Sequence, residues 1–150
     1  MDKAIDETDH ELLRILELDS HMRLHAIAKK LGMPPSTVHH RIQRLEREGF
    51  ISGWTIRKDN ALLGLKMKAH VLVVVDVASL TALKRTQKDI ARDIRALEGV
   101  EGVDIITGDA DLLVTVRTKD MEGFQAFLLE RLQSIKGITK TKTMIVVSES

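Results

Sequence analysis

The apolar residues of this chain change their period between residues 57 and 67, and that change constrains the fold more than any other feature. Before it they recur three and four apart, the spacing of one helix face; after it they alternate, as on a strand. Asp6 followed by Glu7 and Asp9 reads as a helix start, because a short acidic side chain caps free backbone N–H groups and negative charge suits the helix N-terminus. Leu12, Leu13, Ile15 and Leu16 then form a stripe ending near Asp19 and Ser20. A second short helix is expected over 24–31, with Leu24, Ile27, Ala28 and Leu31 inward and Gly32 as its stop. A third is expected over 35–48, entered through Pro35, with Val38, Ile42 and Leu45 inward and Gly49 as its stop. Residues 50–57 alternate, with Ile51, Trp54 and Ile56 as the larger apolar side chains, and read as a short strand pair or wing.

Lys58 to Leu65 interrupts both patterns and reads as a linker. The expected division is a helical domain over 1–57, a linker over 58–66 and an αβ domain over 67–150. In the latter, 67–77 reads as a strand, 80–97 as one helix, 100–107 and 112–118 as strands joined by the Gly108-Asp109-Ala110-Asp111 turn, a helix follows the Asp120 cap with Phe124, Phe127, Leu128 and Leu132 inward, and 138–147 closes as a strand. The order β-α-β-β-α-β is that of a ferredoxin-like split unit, so the fold class is α+β, with both helices on one sheet face. The other face is not polar: Leu72 and Val74 lie opposite the Val71, Val73, Val75 series, Leu113 opposite Leu112 and Val114, and the last strand is apolar on both sides, through Ile145 and Val147 and through Met144 and Val146. A sheet apolar on both faces needs cover on both, and a second subunit's sheet is the economical cover. Scattered surface valines are the alternative.

The charges are sorted along the chain. The net charge is only +1, yet residues 1–19 carry seven acids against Lys3 and Arg14, a net of −5. Residues 20–47 carry Arg23, Lys29, Lys30, Arg41, Arg44 and Arg47 against Glu46 alone, a net of +5, together with four of the six histidines. A local basic island is what phosphate binding needs, although a solvated face would look the same. Three residues inside it have jobs of their own. Ala28 lets two helices cross closely, Gly32 supplies the positive φ of a turn, and Val38 anchors the third helix, the A-x3-G-x5-V spacing of a helix-turn-helix. The outward set on that helix is Ser36, Thr37, His39, His40, Gln43 and Arg44, able to donate to phosphates and base edges in a major groove. Lys29, Lys30, Arg41, Arg44 and Arg47 are assigned to phosphate attraction, and the histidines should strengthen binding below about pH 6.5.

With these pieces in place the sequence resembles the Lrp/AsnC, or feast/famine, transcription regulators over nearly its whole length. The matching segments are IDETDHELLRILELDS, IAKKLGMPPSTVHHRIQRLEREGFISGWT, the LLG of the linker, ITGDADLLVTV and GITKTKTMIVV. The resemblance implies a winged helix-turn-helix bound to double-stranded DNA, a homodimer pairing sheets back to back and assembling further to tetramers or octamers, and a small effector, often an amino acid, bound between dimers. Gly108, Asp109, Ala110 and Asp111 match the family's effector loop, where glycine exposes backbone groups to a carboxylate and an aspartate accepts from an ammonium; a tight turn between strands accounts for the same four residues. Thr141 and Thr143 could line the same site, though alternating threonines are ordinary strand formers. The chain departs from the family's pattern at Pro34, where a serine cap is usual, at His21, where arginine is common, and at Arg23, where a small hydroxyl cap is usual.

Other classes find less support. Without cysteine there is no disulfide framework, thiolate cage or cysteine nucleophile. The acidic opening MDKAIDETDHE lacks the basic start and apolar run of a signal peptide, and the longest apolar run, Val71 to Val75, is far below a membrane span, so a cytoplasmic protein without a membrane partner is expected. His39 and His40 would diverge on a helix, and His21 and His25 straddle a helix start, so no metal or cofactor is expected; Met121 and Met144 are assigned to the core. No nucleophile elbow, zinc-protease or phosphate-loop motif is present. Some proteins resembling this family decarboxylate tetrapyrroles with histidines of the second domain; only His70 lies there, and a non-enzyme is expected. A DNA-packing protein without sequence preference is the remaining rival, separated from a regulator by competition with random DNA.

Overall fold

A computed structural model describes residues 5–149; the first four residues, part of the acidic opening read above, and Ser150 lie outside the described residues. The chain forms two compact units, one ending at Arg57 and the other beginning at Lys58.

In the first unit Asp6 and Asp9 close a reciprocal cap. Asp6 Oδ1 accepts the Asp9 N–H at 2.8 Å and Asp9 Oδ2 accepts the Asp6 N–H at 3.1 Å, which opens α1 (Glu7–Leu18). Helix α2 (Leu24–Leu31) ends at Gly32, whose φ of 64° is the left-handed conformation expected of it. Helix α3 (Pro35–Glu48) begins without a side-chain cap, because Pro34 occupies that position, and ends at Gly49. Leu12, Ile15, Leu16, Ile27, Ala28, Val38 and Leu45 form the buried core, with Phe50 and Ile51 packed on it. The expected wing is not a strand pair: residues 50–57 hold no strand. The physical reason is length, since eight residues divided about a turn leave strands too short to hold without a third. Ile51 N–H is taken by Leu45 O at 3.1 Å, Trp54 Nε1 donates to Glu46 Oε1 at 2.7 Å, and Ile56 is exposed.

The second unit opens with a turn: Asp59 Oδ1 accepts from Leu62 N–H at 2.9 Å and Leu65 N–H donates to Asn60 O at 2.8 Å. Strand β1 (Met67–Val75) stops two residues short of the expected end, because Asp76 caps the next helix through the Ala78 and Ser79 N–H groups. The single helix expected over 80–97 is two, α4 (Val77–Ala82) and α5 (Gln87–Arg95). Lys84 sits at φ 52° between them, and a Thr86–Asp89 capping box restarts the backbone. Strands β2 (Val100–Ile105) and β3 (Leu112–Thr118) follow. Helix α6 (Met121–Ala126) runs into a π-helical segment (Phe127–Leu132), where the Gln133 N–H reaches Leu128 O five residues back; this spacing puts Phe127 and Leu132 on the same buried side. Strand β4 (Ile138–Ile145) completes an antiparallel sheet of order β2-β3-β1-β4.

Register assigns the two sheet faces. Ala69, Val71, Val73, Val75, Leu112, Val114 and Val116 are buried with Leu80, Ile90, Ile94, Phe124, Phe127 and Leu132, so the helices cover that side. The other face carries His70, Leu72 and Val74 beside Thr115 and Leu113 of β3 and Met144, Lys142 and Lys140 of β4. Met144 and Met121 are 41% and 47% exposed, so neither belongs to the core as expected; Met144 shares the open face, and Met121 begins α6 at the surface.

Candidate nucleic-acid interface and effector loop

Helix α3 is positioned by its buried side. Val38 and Leu45 are fully enclosed, and Ala28, 4% exposed, lets α2 cross close by, which turns the rest of α3 outward. Ser36, Thr37, His39, His40, Gln43 and Arg47 are exposed on it, and Lys29 and Lys30 are exposed on the last turn of α2. The His39 and His40 rings lie with centroids 6.1 Å apart and planes tilted by 52°. No cluster of three or more His, Asp or Glu residues suited to a metal ion occurs among the described residues.

Arg41 and Arg44 do not stand with this set, and the reason is electrostatic. Asp9 on α1 is fully buried and takes a guanidinium on each oxygen: Arg41 Nη1 donates to Oδ1 at 2.7 Å and Arg44 Nη2 to Oδ2. The same Arg41 nitrogen donates to Asp6 Oδ2 at 2.7 Å, and this bond holds the Asp6 carboxyl below the usual aspartate range while raising the pKa of Arg41. The acidic opening and the basic island thus meet in three dimensions. Of the six cations in the island, Arg23, Lys29, Lys30 and Arg47 make no ion pair with a described acid. Helical spacing could have shown this, since Arg41 lies three residues from Val38 and four from Leu45, on the inward side.

In the second unit the Gly108–Asp111 loop joins β2 to β3, with Gly108 at φ 130° and Ala110 7% exposed. Asp111 is occupied: Oδ2 accepts the Val75 N–H and Oδ1 accepts Gln87 Nε2, each at 2.9 Å. Asp109 is exposed and, with Ala110, Leu72, Val74, Lys140 and Lys142, lines a cavity of about 250 Å³ on the open sheet face. Thr141 and Thr143 are not brought to it. They pair with Val73 and Val71, whose side chains lie on the helix-covered face, and Thr141 Oγ1 accepts from Gln133 Nε2 at 3.0 Å. Lys140 and Lys142 were missed, although the alternation Lys140-Thr141-Lys142-Thr143 already separates lysines from threonines by face.

At the other end of the open face Arg117, 5% exposed, is held by Glu101 at 2.7 Å and by both oxygens of Glu149 at 2.8 and 2.9 Å. Lys68 also donates to Glu149 at 2.8 Å, and these cations lower the Glu149 carboxyl to about 2. His70 Nδ1 lies 3.1 Å from Thr115 Oγ1, a pairing that leaves no acid beside it among the described hydrogen bonds.

The two units match separate family models: residues 5–52 the winged helix-turn-helix DNA-binding model, and residues 71–150 the Lrp/AsnC ligand binding domain. An uncharacterized HTH-type transcriptional regulator of Pyrococcus furiosus is 38% identical over 97% of this chain and 94% of its own length. The leucine-responsive regulatory protein of Salmonella typhimurium is 31% identical over 98% of this chain and 87% of its own. Among solved structures, a Neisseria meningitidis transcriptional regulator in complex with L-Met superposes with a TM-score of 0.87 at 23% identity, over 97% of this chain and 92% of that one. AsnC of E. coli gives 0.82 at 23% identity, over 97% and 94%. These two likenesses concern the fold, whereas the sequence relatives carry the family: this chain belongs to the Lrp/AsnC family of HTH-type transcriptional regulators.

Proposed function

We propose that α3 enters the major groove, with Ser36, Thr37, His39, His40 and Gln43 reading base edges and Lys29, Lys30 and Arg47 meeting phosphates. The observation that carries this reading is the exposure of that whole set on one helix pair whose turn, at Gly32, has the left-handed geometry of a helix-turn-helix. Binding then weakens with salt, by a log-log slope of about −0.9 for each phosphate neutralised. A titration of binding against salt with Lys30→Ala and Arg47→Ala tests it: each substitution should remove about one such increment, and unchanged slopes in both would dismiss the phosphate assignment.

The regulatory half of the reading is a small amino acid in the 250 Å³ cavity, with Asp109 accepting from its ammonium, Lys140 or Lys142 holding its carboxylate, and Leu72 and Val74 against its side chain. The L-Met complex of the Neisseria protein supports this ligand class. Because the cavity opens on the uncovered sheet face, a second copy of the chain laid on Leu72, Val74 and Leu113 would roof it, which links effector occupancy to assembly. Thermal shifts with each amino acid, on the wild type and on Asp109→Ala, check the site; a response retained in full by the variant would place the effector elsewhere. Sedimentation of Leu72→Asp distinguishes a second copy from other covers, since a dimer through this face must dissociate.

A further inference from the structure

We infer that Asp9 is a positioning residue for the recognition helix, and that Arg41 and Arg44 orient α3 through it without neutralising DNA phosphate. The inference rests on the reading above that the outward face of α3 meets DNA.

Asp9 is the sole acid buried at 0% exposure among the described residues, and it sits one turn into α1. Its Oδ1 faces Arg41 and its Oδ2 faces Arg44, so one carboxylate spans nearly a full turn of α3. Two such bonds from a single planar group fix both the rotation of α3 about its axis and its shift along it, which one apolar contact cannot do. Asp6 takes the remaining reach of Arg41 at 2.7 Å, and the capping box ties Asp6 and Asp9 to each other, so the clamp is closed on the α1 side. Arg44 Nε is buried with no hydrogen-bond partner, so turning its guanidinium out to a phosphate would leave Asp9 with a single cation and gain nothing at Nε. Arg41 and Arg44 side chains are 24% and 35% exposed, consistent with stems lying along the helix pair. Which bases Gln43 and His40 address depends on that rotation, so the acid on the first helix acts on what the third helix reads.

The experiment uses the full-length protein and a duplex selected from a random pool by the wild type, with a scrambled duplex as the nonspecific probe. Affinities for both are measured across a salt series at a temperature where every variant is folded. Arg41→Gln and Arg44→Gln should keep the wild-type salt slope and lose at least tenfold in the ratio of selected to scrambled affinity. Arg47→Ala should do the reverse, lowering the slope by about 0.9 while leaving the ratio within about threefold. Asp9→Asn should reproduce the loss of ratio, and Asp9→Glu should restore part of it. A variant that merely lost stability would keep both slope and ratio below its melting temperature, which overturns the positioning role. A slope lowered by Arg41→Gln or Arg44→Gln as much as by Arg47→Ala would overturn it too. No salt slope in the wild type would instead refute the DNA-facing reading, so the two failures are distinguishable.

Discussion

The helical unit and the αβ unit each hold an aspartate with both carboxylate oxygens taken, Asp9 from the start of the first helix and Asp111 from the loop that matches the effector motif, and the partners differ in kind. Asp9 is closed off from water and saturated by two arginines of a neighbouring helix. Asp111 is half-buried and saturated by a backbone N–H of β1 and the side-chain amide of Gln87. In the first unit the charges involved are full and opposite; in the second the partners are neutral dipoles. A buried or half-buried carboxylate is thus available to a ligand only when its own neighbours leave an oxygen free, and the energetic consequence of removing it depends on what is stranded.

That contrast can be broken most forcefully from the arginine side. Replacing Arg41 and Arg44 together by Gln strands a carboxylate with no access to water, and denaturant unfolding should show a loss of about 3–5 kcal/mol from the helical unit. Asp9→Asn should cost less, about 1–3 kcal/mol, because the two guanidiniums it releases can turn to solvent. The opposite order would mean that Asp9 is not the buried member of the cluster. In the other unit Asp111→Ala removes two hydrogen bonds to neutral donors and should cost about 1–2 kcal/mol without altering DNA affinity, measured by the same unfolding and binding curves.

Acid acts on both units. Asp6 is held below its ordinary value of 3.8 by Arg41, and Glu149 is lowered from 4.5 to about 2 by Arg117 and Lys68. Depressed carboxyls contribute stability above their unfolded values and lose it as protons bind, so both units should weaken as pH falls from about 4.5 toward 2. Glu149→Gln should flatten that dependence in the αβ unit and leave the helical unit unchanged, a result readable from separate unfolding transitions. The smallest effect expected is at Lys84, at φ 52° between α4 and α5, where Lys84→Gly should stabilise by up to about 1 kcal/mol in a melting-temperature comparison.

Much of the architecture was legible because it rests on local rules. The Asp6 cap, the Gly32 and Gly49 stops, the Pro35 entry and the succession of strands along the chain all follow from neighbours in sequence. What was not legible needed contact between distant residues or competition between local signals. The helical period through 80–97 concealed the Thr86–Asp89 capping box that divides it, a signal present in the sequence but outweighed by the leucine stripe. The strand pair expected within residues 50–57 did not form because alternation specifies a strand only when a partner exists. Of the site, the exposed part of α3 was readable from helical spacing, whereas the withdrawal of Arg41 and Arg44 depended on an acid more than thirty residues away, and the placing of Asp109, Lys140 and Lys142 around one cavity on strand register.

If α3 lies in the major groove, its outward residues set which bases are preferred. Selecting bound sequences from a random duplex pool, in parallel with the wild type and with Gln43→Ala, tests it most directly. The variant should relax preference at one or two positions repeated symmetrically in the selected site while the rest of the site persists. Identical preferences from both proteins, or no preference from the wild type, would contradict it.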